Sequence, residues 1–165
     1  MGPISVSKPI DAPRERVFDF LCDLANRPAF TDHFIGQFRL ERLESSGVGA
    51  AARMRITEPG LWMETVIEEV SPPHRILERG SGGRWDRIPI TTWWELASRG
   101  AGCEVTLGFL TEPSHSLDRW RERLGAERFY RRQWAIALSR LRDLIESGRP
   151  VERVLVAGGD RLPVT

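Results

Sequence analysis

The chain is poor in the residues that usually carry chemistry. Its 165 residues hold two cysteines (Cys22, Cys103), three histidines (His33, His74, His115), one tyrosine (Tyr130) and one lysine (Lys8). The cysteines stand far apart and match neither a metal spacing nor a disulfide framework. No two histidines share a ligand spacing, so neither a metal nor another cofactor is expected. The formal net charge is only +1, and the basic residues are nearly all arginine, which argues against nucleic acid as a partner. There is no glycine–x–serine–x–glycine elbow and no reactive cysteine motif, so an acyl-enzyme is not indicated. The run GSGG at 80–83 lacks the lysine-serine pair and following helix of a phosphate loop. No apolar run approaches the length of a membrane span, and no charged-then-apolar leader opens the chain. A cytoplasmic protein without stable membrane insertion is the expectation.

What is present is periodicity. Residues 4–9 alternate as a short strand that Pro9 closes. Residues 10–24 read as a helix with Pro13 at its first position, Glu15 near its positive end, and Val17, Phe18, Leu21 and Leu24 on its buried side. A second short helix or turn is expected at 27–34. The period then changes to two. Phe34, Gly36, Phe38 and Leu40 alternate with the more polar set Ile35, Gln37, Arg39 and Glu41. Ala52, Met54 and Ile56 share one side of the next strand, and Met63, Thr65, Ile67 and Glu69 one side of a third. A fourth strand covers 74–80. Residues 88–98 and 103–111 form a hairpin whose second arm turns Val105, Leu107 and Phe109 one way. On its first arm Trp93 and Trp94 must face opposite sides; Trp94 is placed inward with Leu96.

The last long helix, 117–147, carries Trp134, Leu138, Leu141 and Ile145 on one stripe and charged residues opposite. Ser114 or Ser116 offers a cap at its start, and Gly148 with Pro150 ends it. Gly125 divides it, with Trp120 and Leu124 inward on a short first part. Strands joined by tight turns make an antiparallel sheet, and the final helix must cover its apolar face, so the fold class is α+β. One domain at 1–148 is expected, followed by a tail at 149–165. The tail's apolar patch (Val151, Val154, Leu155, Val156) could stay disordered or add a strand to a sheet edge or a partner chain.

Three stretches in this order resemble a known family. IDAPRERVFDFLCDLANRPAF has an Ala12-Pro13 pair before a helix with Val17-Phe18, then Asp23, Asn26 and Pro28. VIEEVSPPHRI is a strand closed by prolines, and TTWWELASRGAGCEVTL a tryptophan strand, glycine turn and Val-Thr arm. Together they are similar to the START-like (SRPBCC) superfamily, in its polyketide cyclase/dehydratase branch, over 1–148. The resemblance implies a helix-grip fold: a curved antiparallel sheet of about seven strands around a long C-terminal helix, with two short helices after the first strand.

It also implies a cavity between sheet and helix. Met54, Ile56, Met63, Ile67, Leu107 and Phe109 on the sheet would face Trp134 and Leu138, a lining suited to an apolar ligand. Burial alone explains the same pattern, so core packing stays open beside it. Thr65, Trp94, Arg79, Tyr130 and Gln133 are the candidates for polar or aromatic contacts, and Trp85 for folding onto a ligand from its loop. His33 and His115 fall at rim positions or on the surface. Three functions follow. The first is binding of a hydrophobic small molecule, such as a lipid, polyketide or aromatic metabolite. The second is a polyketide cyclase or dehydratase, with Arg79 or Tyr130 essential. The third is an interaction module with a filled core, a homodimer through the tail being one form of it.

Overall fold

A computed structural model describes residues 1–58, 60–113 and 125–151. The chain forms β1 (Ile4–Ile10), α1 (Arg14–Cys22), a 3-10 turn (Leu24–Asn26), α2 (Pro28–Thr31), β2 (Ile35–Leu40), β3 (Ala51–Ile56), β4 (Trp62–Ser71), β5 (Arg75–Gly82), a second 3-10 turn (Arg84–Asp86), β6 (Ile88–Arg99), β7 (Gly102–Thr111) and α3 (Ala126–Ser147). Seven strands make one antiparallel sheet in the order β1-β7-β6-β5-β4-β3-β2. Consecutive strands pair because their connections are short, while β1 reaches across to β7. This is the helix-grip arrangement, with α3 inside the curve of the sheet. The expected cap serines, Trp120, Leu124, His115 and the tail beyond Val151 lie outside the described residues.

Helix α3 begins after Gly125 and stops at Gly148, whose left-handed backbone (φ 63°) suits a residue without Cβ. Trp134, Ala137, Leu138, Leu141 and Ile145 are buried along one stripe. The helix lies against β1 and bonds the chain at two points along that strand's free edge. Arg131 Nη1 donates to the Ser5 carbonyl (3.3 Å), and Glu146 Oε1 accepts from the Asp11 N–H (2.8 Å). Side chains thus replace a missing neighbour strand on the β1 edge.

Three sequence expectations shift by a residue. Pro13 is the residue before α1 rather than its first helical position, with an extended ψ of 135°. In β2, Ile35 is buried although alternation put it on the polar side; a register shift between Ile35 and Gln37 inserts one residue and inverts the parity. In β4 a second shift between Ile67 and Glu69 does the same. Glu69 is therefore exposed, and Val70, opposite Ile76, packs against the core instead.

Trp93 lies on the outer face of the sheet over Gly108 of β7. A Cβ at Gly108 would fall 1.9 Å from Trp93 Cε2, so only glycine admits the indole there. Trp62 is also on that face, with the guanidinium carbons of Arg53 and Arg39 5.2 and 5.6 Å from its ring centroid.

Candidate functional site

The inward positions of the strands and the inner stripe of α3 enclose one apolar region. Met54, Ile56, Met63, Thr65, Ile67, Trp94, Leu107, Phe109, Trp134 and Leu138 are all buried within it. Tyr130 is half-buried at the second turn of α3, its ring centroid 4.9 Å from that of Phe109. Arg79 does not join them. It sits on the convex face, exposed, and its Nε donates to Glu68. Trp85 is exposed as well, on the β5–β6 connection, with a left-handed backbone (φ 69°).

Two features at the centre were not read from the sequence. The first is a buried ion pair. Arg27, just before α2, and Glu78, on β5, are 3% and 1% exposed. Arg27 Nη2 donates to Glu78 Oε1 (2.6 Å) and Nη1 to Oε2 (3.4 Å). Trp94 Nε1 adds a bond to Oε1 (2.8 Å), and Thr65 Oγ1 one to Oε2 (3.1 Å). The Arg27 guanidinium also lies 4.9 Å from the Trp94 ring centroid. A buried charge survives only if it is paired and bonded, and here each carboxylate oxygen receives two donors. The signal was strand parity: with Ile76 inward, alternation brings Glu78 inward and turns Arg79 out.

The second feature is aromatic. Phe30 meets the Trp94 ring edge-on (6.3 Å), Trp94 meets Trp134 (6.1 Å), and Trp134 meets Phe34 (5.2 Å) and Phe109 (6.0 Å). Unlike Trp94, Trp134 has no hydrogen-bond partner for its buried Nε1. Beside Phe34, His33 Nε2 is 3.2 Å from the Gln133 carbonyl, while its buried Nδ1 also has no partner. Burial holds the His33 pKa below the usual imidazole range, with the nearby Arg140 acting the same way. The neutral ring with Nε2–H donating to Gln133 is the form this site favours.

The registers place the finish of β1, the β6–β7 turn and the last turn of α3 at one end of the grip. A surface cleft of about 460 Å³ opens there, among Asp11, Arg99, Cys103, Arg142 and Glu146. Within it Arg142 bonds Asp143 and lies 3.9 Å from Glu146, which in turn holds the Asp11 N–H. Burial pushes the Cys103 and Cys22 thiols up, away from the reactive thiolate. Among the described residues no cluster of His, Cys, Asp and Glu could hold a metal, and no helix is long and apolar enough to cross a membrane.

Residues 1–146 match the family described as polyketide cyclase / dehydrase and lipid transport. No curated protein matches the chain. Solved structures share the fold at low identity. CV1439 from Chromobacterium violaceum has a TM-score of 0.64 at 18% identity, over 87% of this chain and 96% of that one. TTHA0849 from Thermus thermophilus reaches 0.70 at 14%, over 90% and 100%. DynU16, from the dynemicin biosynthetic locus, gives 0.62 at 19%, over 93% of this chain and 50% of its own.

Proposed function

We propose, from the premise that the chain belongs to the polyketide cyclase / dehydrase and lipid transport family, that it binds a hydrophobic small molecule between the concave sheet and α3. The observation that carries this reading is the saturation of Glu78. It is the one fully buried carboxylate among the described residues, and all its acceptor positions are occupied. A general base needs a free lone pair within reach of the proton it takes. The interior therefore offers a wall of methionine and aromatic side chains but no carboxylate free for proton transfer. Met54 and Met63 suit such a wall because an unbranched thioether adapts to irregular apolar shapes. Catalysis of the cyclase or dehydrase type is the second reading. It draws on the family description and on the DynU16 neighbour from a biosynthetic locus.

Native mass spectrometry of the protein as purified, compared with the denatured sample, tests the binding reading. The expected result is a small apolar molecule retained under native conditions and lost on denaturation. If the mass is bare, fatty acids, sterols and aromatic polyketides should raise the melting temperature by mass action. No retained molecule and no shift with any of them would sink the reading in favour of a filled core.

A further inference from the structure

Helix α3 is held along two flanks, and only one of them carries a histidine. On the β1 side Arg131 bonds the Ser5 carbonyl and Glu146 the Asp11 N–H. On the α2 side three contacts come from consecutive residues. Asp32 Oδ1 accepts from Arg140 Nη2 (2.6 Å), His33 Nε2 lies 3.2 Å from the Gln133 carbonyl, and Phe34 meets Trp134 edge-on. This seam covers the apolar region: Phe34 and Trp134 are each 2% exposed. Histidine is the side chain that ordinarily changes charge between about pH 5 and about pH 8. The other one among the described residues, His74, faces Arg14 of α1 instead. Acid therefore acts on one flank of the helix and spares the other.

The seam suits the neutral ring. Its Nε2–H donates to Gln133, while Nδ1 is buried and has no partner. A second proton would fall on Nδ1. The charged ring would then face Arg140, which repels it, and Asp32, which attracts it. The Gln133 and Phe30 carbonyls favour the charge as well, but the lost hydration outweighs them. An imidazolium recovers that hydration by turning out of the seam, where it competes with Arg140 for Asp32. The Arg140–Asp32 side chains are 40% and 37% exposed, so their pairing resists little. We propose that His33 is an acid-operated latch on α3: the neutral ring closes the α2–α3 seam, and its protonation opens that seam while the β1 flank stays bonded. No bound molecule enters the device, so it stands or falls apart from the binding reading.

Amide hydrogen exchange tests it, read by NMR on the full chain and on His33→Gln at about pH 7.5 and about pH 5.5. Rates are corrected for intrinsic exchange and expressed as protection. With an ordinary imidazole pKa near 6.5 in the open seam, one proton at about pH 5.5 favours opening by at most about tenfold. In the native chain protection at residues 30–34 and 133–140 should fall severalfold, up to that ceiling, while residues 4–10 keep theirs. His33→Gln, which retains a donor for the Gln133 carbonyl but takes no proton, should show no fall at the seam. Unchanged protection in the native chain overturns the proposal. So does an equal fall along β1, because acid would then loosen the whole grip, and so does a fall at the seam that persists in His33→Gln. Should His33→Gln not fold, Arg140→Gln takes its place. With the repelling charge gone, the His33 Cε1–H resonance must titrate at higher pH than in the native chain, and the fall at the seam must shrink. A native midpoint or a fall of native size overturns the latch.

Discussion

Trp94 and Trp134 are both buried, their ring centroids 6.1 Å apart, yet they belong to different kinds of interior. Around Trp94 every strong donor has an acceptor: its own N–H, the Thr65 hydroxyl and the Arg27 fork all converge on Glu78. Around Trp134 the neighbours are rings, and the indole N–H and His33 Nδ1 are both left over. The first region fixes α2 to β4, β5 and β6 and specifies one packing. The second holds its shape through dispersion and ring geometry, and keeps polar capacity unused. A fully bonded polar cluster thus lies beside an apolar wall that keeps one indole donor and one imidazole acceptor unused.

Breaking the bonded region should have the largest effect. Glu78→Ala leaves the Arg27 guanidinium buried without a counter-charge and strips acceptors from Trp94 and Thr65, so a loss of about 3–5 kcal/mol is expected. Chemical denaturation of Glu78→Ala, Arg27→Met and the double variant Arg27→Met/Glu78→Ala measures the coupling. The double variant should recover much of the loss, since no lone charge remains. Additive single effects would mean that the pair is not the unit described here.

The second prediction sets the two indoles against each other directly. Trp94→Phe and Trp134→Phe remove a similar volume, but only the first deletes a hydrogen bond to a carboxylate. Trp94→Phe should therefore be the more destabilising by about 1.5–3 kcal/mol, the range for a bond to a charged group. Equal melting points for the two variants would erase the distinction between the regions.

The contrast also explains what the sequence could and could not reveal. The antiparallel meander and the inner stripe of α3 follow from period and turns: Ala52, Met54 and Ile56 alternate cleanly, and Trp134, Leu138, Leu141 and Ile145 fall at helical steps, while the helix-grip layout is what the family resemblance implies. The bonded region broke that logic because charge reads as outward. The sequence offers Arg79 as a candidate polar contact in the cavity, whereas parity from Ile76 puts Glu78 inside and Arg79 opposite Glu68. Two register shifts, beside Gly36 and Glu68, were hidden for another reason. A bulge is set by the neighbouring strand, so the period within one strand does not announce it. Trp134 was legible as a buried ring, but its missing partner depends on every neighbour at once.

A third prediction concerns acid. His33 belongs to the unbonded region, where burial holds its pKa below the unfolded value of 6.5. The unfolded chain therefore binds this proton more readily than the folded one, and stability from His33 is full above pH 6.5 and lost as pH falls through the folded pKa. The charged groups facing the ring are Arg140, which opposes its protonation, and Asp32, which favours it. The melting temperature should drop between about pH 7.5 and about pH 5.5 by more in the native chain than in His33→Gln, whose amide can still donate to the Gln133 carbonyl. Identical pH dependence in both would remove His33 from the account.

The smallest effect is expected where the same pair of residue types meets in water. Arg79 and Glu68 bond across β5 and β4 on the convex face, at 60% and 53% side-chain exposure. An ion pair so placed gains little, because water solvates both partners when they part and salt screens them when they meet. Arg79→Ala should shift stability by no more than about 0.5 kcal/mol, should leave ligand affinity unchanged, and should lose even that small effect in high salt. Arg79 and Arg27 thus test one rule from opposite sides. If Arg79→Ala instead abolished binding or turnover, the convex face would have to take part in function, against the reading proposed above.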